Sequence, residues 1–499
     1  MYEDLINPYK TGQLPTIQIG GIMVNNQLQD NGPVNLVLKN FNRHGLIAGA
    51  TGSGKTKTIQ GLCEQLSLAG IPSLVMDVKG DISGLAEAGQ ATEALQKRSQ
   101  SLHIDFSPRP FPVELLTLNE EQPGVPVRAT VNDFGAVLFS RMLDLNETQA
   151  GVVTIIFEYA KSKKLPLIDL ADFKSLLQYV QNGQGKAEIE QQFGNVASSS
   201  TGAIMRKVIE LEAQGGNSFF AEPAFNVLDL LRSNAQGLGI ISILRVMDMQ
   251  QAPKLFSTFM LKLLSDVYRL FPELGDPEKP KLVLFIDEAH LIFDQASKAL
   301  LNLLDTMVKL IRSKGVGLIF CTQTPNDIPD SILGQLGLKI QHALRAFTAK
   351  DRQAMKLIAQ NFPPSQYYNT EQLLTALGIG EALVSALDEK GQPTPLVQCM
   401  MRAPESRMGV LTDSEVSQIV NQSTLYPRYS HRQETQSAAE ILSAQKQTAT
   451  DPAVETKTAS HRKAEEVSII TVLSKNTLFR QIIRQITNAI LKYITGKKR

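Results

Sequence analysis

Short apolar runs recur along this chain, and helical patterns fill the intervals between them. Leu46-Ile47-Ala48, Ser73-Leu74-Val75-Met76-Asp77, Gly239–Leu244, Lys281–Ile286 and Val316–Cys321 each read as a buried strand. After the first run Ile59, Leu62, Cys63 and Leu66 fall at helical spacing; after the third, Leu255, Phe259, Leu263 and Val267 do the same. A further helix is expected over about 297–313, a strand near Lys339–Leu344, and a strand pair near 381–402 turning at Lys390-Gly391. Strands alternating with helices predict an α/β fold built on a mostly parallel sheet covered on both faces.

Three stretches depart from that rhythm. Residues 1–44 hold two strand-like runs, Thr16–Ile19 and Val34–Leu38, and read as a small N-terminal β appendage. Between the two parts of the core, 45–128 and 236–427, residues 129–235 are dominated by helical periodicity. In that insertion Asp169 precedes Leu170, Phe173, Leu176, Leu177 and Val180, the spacing of a capped amphipathic helix. From 428 to 466 the chain is polar and without a sustained apolar period, which predicts a flexible linker. Residues 467–499 then carry seven basic and no acidic side chains, with Ile482, Ile483, Ile486, Ile490 and Ile494 at helical spacing. Such a basic amphipathic tail helix suits docking on a neighbouring subunit, an anionic membrane surface or nucleic acid.

Composition narrows the class only a little. Hydrophobic residues make up 43% and charged residues 20% of 499, the balance of a soluble globular protein. The net charge of +1 gives no overall basic field, so contact with nucleic acid would need a local patch or channel. Cys63, Cys321 and Cys399 are isolated, which fits reduced thiols in the cytoplasm. An acidic start without an apolar core segment predicts no signal peptide, and no run is long enough for an integral membrane span.

The chemistry lies at the strand ends. Gly49-Ala50-Thr51-Gly52-Ser53-Gly54-Lys55-Thr56 matches the phosphate loop G-x-x-x-x-G-K-[ST], between a strand and a helix as that motif requires. Glycines let the backbone wrap a triphosphate so that N–H groups and the helix N-terminus face the phosphates. The candidate nucleotide-binding set is Gly49, Ala50, Thr51, Gly52, Ser53, Gly54, Lys55, Thr56 and Lys57. Lys55 would reach the β and γ oxygens, and Thr56 with Asp287 would hold Mg2+. Strand 281–286 ends in Asp287-Glu288, which makes Glu288 the candidate for orienting or deprotonating the attacking water. The next strand ends in Thr322-Gln323, and an amide there can bond both that water and the γ-phosphate. Arg312 reads either as an arginine finger for an adjacent subunit's ATP or as a cation answering a helix dipole, with Arg345 a second finger candidate. The charges of Asp77-Val78-Lys79-Gly80-Asp81 stay open between tuning the site, a subunit contact and a solvated turn.

Taken in order, these motifs resemble the HerA/FtsK class of RecA-like P-loop ATPases, and within it the YjgR-type group with a HerA-like C-terminal domain. The resemblance covers about residues 15–405. It implies a RecA-like core, Mg2+-dependent ATP hydrolysis, and a homo-oligomeric ring, usually hexameric, with ATP between subunits and double-stranded DNA in the pore. It also implies Lys55 and Thr56 on nucleotide and metal, Asp287 and Glu288 as metal-associated and catalytic acids, Gln323 as sensor and Arg312 as the finger in trans. HerA itself carries a β-barrel before its ATPase core, for which the stretch ahead of Gly49 is too short. The competing expectation is a nucleotide-gated scaffold that recruits a partner without moving DNA.

Overall fold

Twelve strands, counted among the described residues, hydrogen-bond into one sheet whose two halves run differently. The structure, a computed structural model, describes residues 2–10, 12–246, 251–295, 297–433 and 435–450. In chain order the strands are β1 (Thr16–Val24), β2 (Gln27–Val37), β3 (Gly45–Ala48), β4 (Ser73–Asp77), β5 (Val113–Thr117) and β6 (Val125–Pro126). They continue as β7 (Ile241–Arg245), β8 (Leu282–Ile286), β9 (Val316–Thr322), β10 (Leu338–His342), β11 (Glu381–Ser385) and β12 (Val397–Met401). The spatial order is β2-β1-β12-β11-β10-β3-β9-β8-β4-β7-β5-β6. From β10 to β6 every neighbouring pair is parallel, whereas β11, β12, β1 and β2 continue the sheet antiparallel.

Period-two alternation distributes the strand residues between two cores. Leu46, Leu74, Leu116, Leu244, Leu284 and Phe320 face one side, where the insertion helices and the helices Pro253–Leu270 and Lys298–Leu310 cover them. Ile47, Val75, Leu115, Ile243, Phe285 and Cys321 face the other, under the helix Lys55–Leu68. Both faces are therefore dry, as the near-continuous apolar runs require.

The helical insertion contains Val131–Met142, Glu147–Ser162, Leu170–Tyr179, Gly183–Phe193 and Ser198–Glu212. Asp169 caps the third of these through the Asp172 N–H, as its spacing predicts. The N-terminal runs are longer than the pattern suggests, and their hairpin forms one edge of the main sheet through Gly20–Met23 on β12. β5 and β6 carried no sequence signal. In β5 the buried Glu114 interrupts the apolar run, and Arg232 neutralises it at 2.7 Å.

The expected linker needs correcting at its start. Tyr429 is buried, and Ala438–Thr450 is a helix whose Ala438 and Leu442 join the insertion core. Asp172 accepts the Ala439 N–H at 2.9 Å and the Pro166 carbonyl accepts that of Ala438 at 3.0 Å, which anchors the helix start. Its docking thus depends on partners supplied from far away in sequence. Residues 451–466 and the proposed basic helix 467–499 lie outside the described residues. Residues 1–445 make one compact unit. Among the described residues, no helix is long and apolar enough to cross a membrane.

Candidate active site

In parallel sheets the strand C-termini share one edge, and ligands bind there. At that edge β3 leads into Gly49–Thr56, β8 into Asp287-Glu288, β9 into Gln323, β10 towards Arg345 and β4 into Asp77–Asp81. β9 lies between β3 and β8, so Gln323 leaves the sheet between the phosphate loop and the acid pair.

Gly49 sits where no side chain fits: a Cβ would lie 2.6 Å from the His342 Cβ. At Gly52 the constraint is conformational instead, with φ +78° and open space around it. Backbone bonds from Gly49 N to Thr322 O (3.3 Å), Ala50 N to Ala343 O (2.8 Å) and Gly380 N to Ser53 O (3.2 Å) fix the loop to three neighbouring segments. The following helix begins at Lys55 with Gly54 as its cap, so no side chain engages the N–H groups of its first turn. Those donors, with the dipole behind them, are what an anionic phosphate requires. The Lys55 ammonium is buried and donates to the carbonyls of Gly49 (2.7 Å) and Ala50 (3.3 Å). Thr56 is half-buried on the same turn. Lys57 donates to Gln60 at 3.2 Å and is drawn by Asp81, Glu64 and Asp77.

Asp287 and Glu288 are both buried. Burial, then repulsion from Glu288, pushes the Asp287 carboxyl up to about 6, against a hydrogen bond from the Cys321 thiol and the charge of Lys79. Asp77 is driven up to about 7 by burial and by Asp81, with Asp287 adding to the repulsion. A buried carboxylate beside other acids is stabilised by a cation, so the donor set fits a divalent metal. Among the described residues no cluster of three or more His, Cys, Asp or Glu could hold a metal unaided. Magnesium takes one or two carboxylates together with substrate phosphates.

Glu288 has the left-handed backbone of φ +48°, uncommon for a residue with a side chain. Burial raises its proton affinity, but Lys79, helped by His290 and Lys55, outweighs that and holds it below the usual carboxylate range. Lys79 forms an ion pair with one carboxylate oxygen, and His290 Nδ1 stands 3.2 Å from the other without hydrogen-bond geometry. The Asp77 carboxylate shapes the turn that presents Lys79, accepting from Gly80 N (2.7 Å) and Ile82 N (3.2 Å).

The structure thus gathers the phosphate loop, Asp287, Glu288 and Gln323 at one edge, where Gln323 is exposed. Arg345 is exposed at the same edge, two residues beyond the carbonyl that holds Ala50. Arg312 is elsewhere. It precedes β9, a strand length of about 20 Å away from the loop, and faces Asp276 at 3.3 Å.

Sequence reasoning missed three supports. Lys79 was visible in its motif, but its partner was not. The buried Glu64 carries no local signal at all, and nothing near His342 in sequence points to its bond with Thr58. Glu64 accepts from Glu405 N (2.9 Å), Ser406 N (2.9 Å) and Ser406 Oγ (2.5 Å), fastening the loop helix to the segment after β12.

The family model described as "Helicase HerA-like C-terminal" matches residues 23–495. A DNA double-strand break repair helicase HerA from Saccharolobus solfataricus is 23% identical over 379 residues, covering 74% of this chain and 66% of that protein. The chain therefore spans just under two thirds of that relative's length. Plasmid coupling protein TrwB in complex with ADP and Mg2+ superposes with TM-score 0.52 at 15% identity, covering 82% of this chain and 94% of that one. TrwB with a non-hydrolysable ATP analogue gives 0.51 at 15% identity, covering 81% and 94%. These likenesses establish a RecA-like P-loop ATPase fold.

Proposed function

Given that the chain belongs to the helicase HerA-like C-terminal family, we propose that it binds and hydrolyses ATP with Mg2+ at the β3–β9–β8 edge. The observation that carries this is the strand order itself, which brings the Lys55 loop and the Asp287-Glu288 pair to one edge with Gln323 between them. Thr56 and Asp287 are the residues that would hold Mg2+, which neutralises phosphate charge when bound. Lys55 leaves its own loop carbonyls for the β and γ oxygens, while the first-turn N–H groups take the β-phosphate. Glu288 and Gln323 orient a water in line with the γ-phosphorus. As the water oxygen bonds to phosphorus, the bond to the β,γ-bridging oxygen breaks, ADP leaves, and Glu288 accepts the water proton.

The rest of the proposal follows kinship. The HerA relative is named a DNA double-strand break repair helicase and TrwB a plasmid coupling protein, which supports a motor acting on DNA; a homo-oligomeric, hexameric ring on double-stranded DNA in the cytoplasm is the reading carried by the resemblance of the motifs alone. Arg312, far from its own pocket, is available to a neighbouring subunit's nucleotide. Glu288→Gln with ATP tests the chemistry: binding is retained and turnover falls by ~10²–10⁴-fold. Normal turnover in that variant rejects the assignment. Duplex DNA should raise wild-type turnover, and added salt should reduce that stimulation through counterion binding. Turnover indifferent to DNA would leave a nucleotide-gated scaffold.

A further inference from the structure

Lys79 has an unusual place in this pocket. It lies across Glu288 from the phosphate loop, because β4 borders β8 on one side while β9 and then β3 border it on the other. The register sets Met76 opposite Ile286, so the turn bearing Lys79 and the acid pair leave the sheet at the same level. Lys55 is also within electrostatic reach of Glu288. The glutamate is thus flanked by two lysines from opposite sides, only one of which belongs to the phosphate loop.

The two partners of the Lys79–Glu288 pair differ in freedom. The Glu288 side chain is 5% exposed and its backbone is held at φ +48° between β8 and the helix Ala289–Gln295. The Lys79 side chain is 47% exposed, on a turn whose backbone Asp77 pins. A four-carbon stem on a fixed root can swing, whereas the carboxylate cannot follow it.

We propose that Lys79 is a second cation for the γ-phosphate, parked on Glu288 until a triphosphate occupies the loop. This rests on the reading of the pocket given above. Glu288 offers one negative charge, whereas a terminal phosphoryl group offers ~2 at neutral pH. At equal distance and screening, Coulomb attraction favours the phosphoryl group. Moving there, the ammonium frees the carboxylate oxygen that must receive the water proton and adds positive charge where the transition state accumulates negative charge. A diphosphate leaves Lys79 on Glu288. The pair therefore distinguishes ATP from ADP, and arms the base only when there is a γ-phosphate to cleave.

The test compares Mg2+ complexes of a non-hydrolysable ATP analogue and of ADP, binding to wild type, Lys79→Met and Lys79→Arg. Lys79→Met should weaken the triphosphate by about tenfold or more, the value of one charge-assisted bond, and leave ADP within about twofold. Lys79→Arg should retain most of the preference for triphosphate, and kcat with ATP should fall in Lys79→Met. Equal weakening of both nucleotides, or no change in either, overturns the inference and makes the pair structural. Should Lys79→Met not fold, loss of the triphosphate preference in a folded Lys79→Gln decides it in the same way. Wild type that binds neither nucleotide rejects the pocket itself, a result distinct from an unchanged ratio.

Discussion

The Thr58 hydroxyl donates to His342 Nε2 at 2.9 Å, tying the phosphate-loop helix to the strand beneath it. The direction is fixed from the other side of the ring. His342 Nδ1 lies 2.9 Å from the Glu381 carbonyl, which can only accept, so Nδ1 carries the proton and Nε2 is the acceptor. Burial pushes this imidazole down to about 4, the Glu381 bond opposing and Lys55 assisting. The folded state therefore binds fewer protons than the unfolded chain between about 6.5 and 4. His342 contributes stability present above that window and lost as pH falls through it. Replacing it with Gln should lower the slope of unfolding free energy against pH by ~1.4 kcal/mol per unit there. Urea titrations at several pH values measure this; an unchanged slope would mean that the ring titrates normally.

Asp77 acts in the opposite sense. Raised from 3.8 to about 7, its carboxyl binds a proton in the folded state where the unfolded chain has lost it. Its contribution is complete below the lower value and lost as pH rises through the upper one. Asp77→Asn should remove that loss, making the slope more positive by ~1.4 kcal/mol per unit between about 4 and 7. The same urea series reads both variants, and a slope change of the same sign in the two would contradict the opposing assignments.

These two residues mark the limit of what the chain discloses on its own. The phosphate loop is legible because eight consecutive residues meet one ligand, and Asp287-Glu288 because an apolar strand ends there. The parallel core was legible for the same reason, since buried strands are continuous apolar runs. Lys79 on Glu288, Thr58 on His342 and Glu64 on Ser406 join residues hundreds of positions apart, and no spacing rule encodes them. β5 was hidden because Glu114 is neutralised by an arginine more than a hundred residues on, at the far end of the insertion. The helix at Ala438 was hidden because its polar composition needs only a few buried contacts and the distant Asp172 carboxylate.

Gly49→Ala tests the close approach of the loop to that same histidine. The added Cβ would stand 2.6 Å from the His342 Cβ and 2.7 Å from Ser53 Oγ, with the strand backbone 3.2 Å away. The strand cannot yield without disturbing β10, so the loop must shift. Nucleotide affinity should fall at least tenfold, ~1.4 kcal/mol, while far-ultraviolet circular dichroism stays that of the wild type. Gly52→Ala, with open space around its Cβ, should be milder and act only through φ +78°. Equal loss in both variants would show that backbone conformation, not the contact with His342, limits the loop.

Arg312 offers the sharpest test of assembly. Its guanidinium is 39% exposed at the end of the sheet remote from the loop, opposite an exposed Asp276 that also pairs with Lys39. An exposed pair of this kind contributes at most ~1 kcal/mol to folding, so Arg312→Ala should leave the melting temperature nearly unchanged. If the guanidinium serves a neighbour's nucleotide, the same variant should lose 10³-fold or more of turnover, the order found for arginine fingers. Mixing Arg312→Ala subunits with Lys55→Ala subunits then restores activity at those junctions where an intact loop faces an intact arginine. No recovery in mixed assemblies of confirmed composition would return Arg312 to the role of a helix-end cation. In that case Arg345, exposed at the nucleotide edge of the sheet, becomes the residue to substitute in the same mixing experiment.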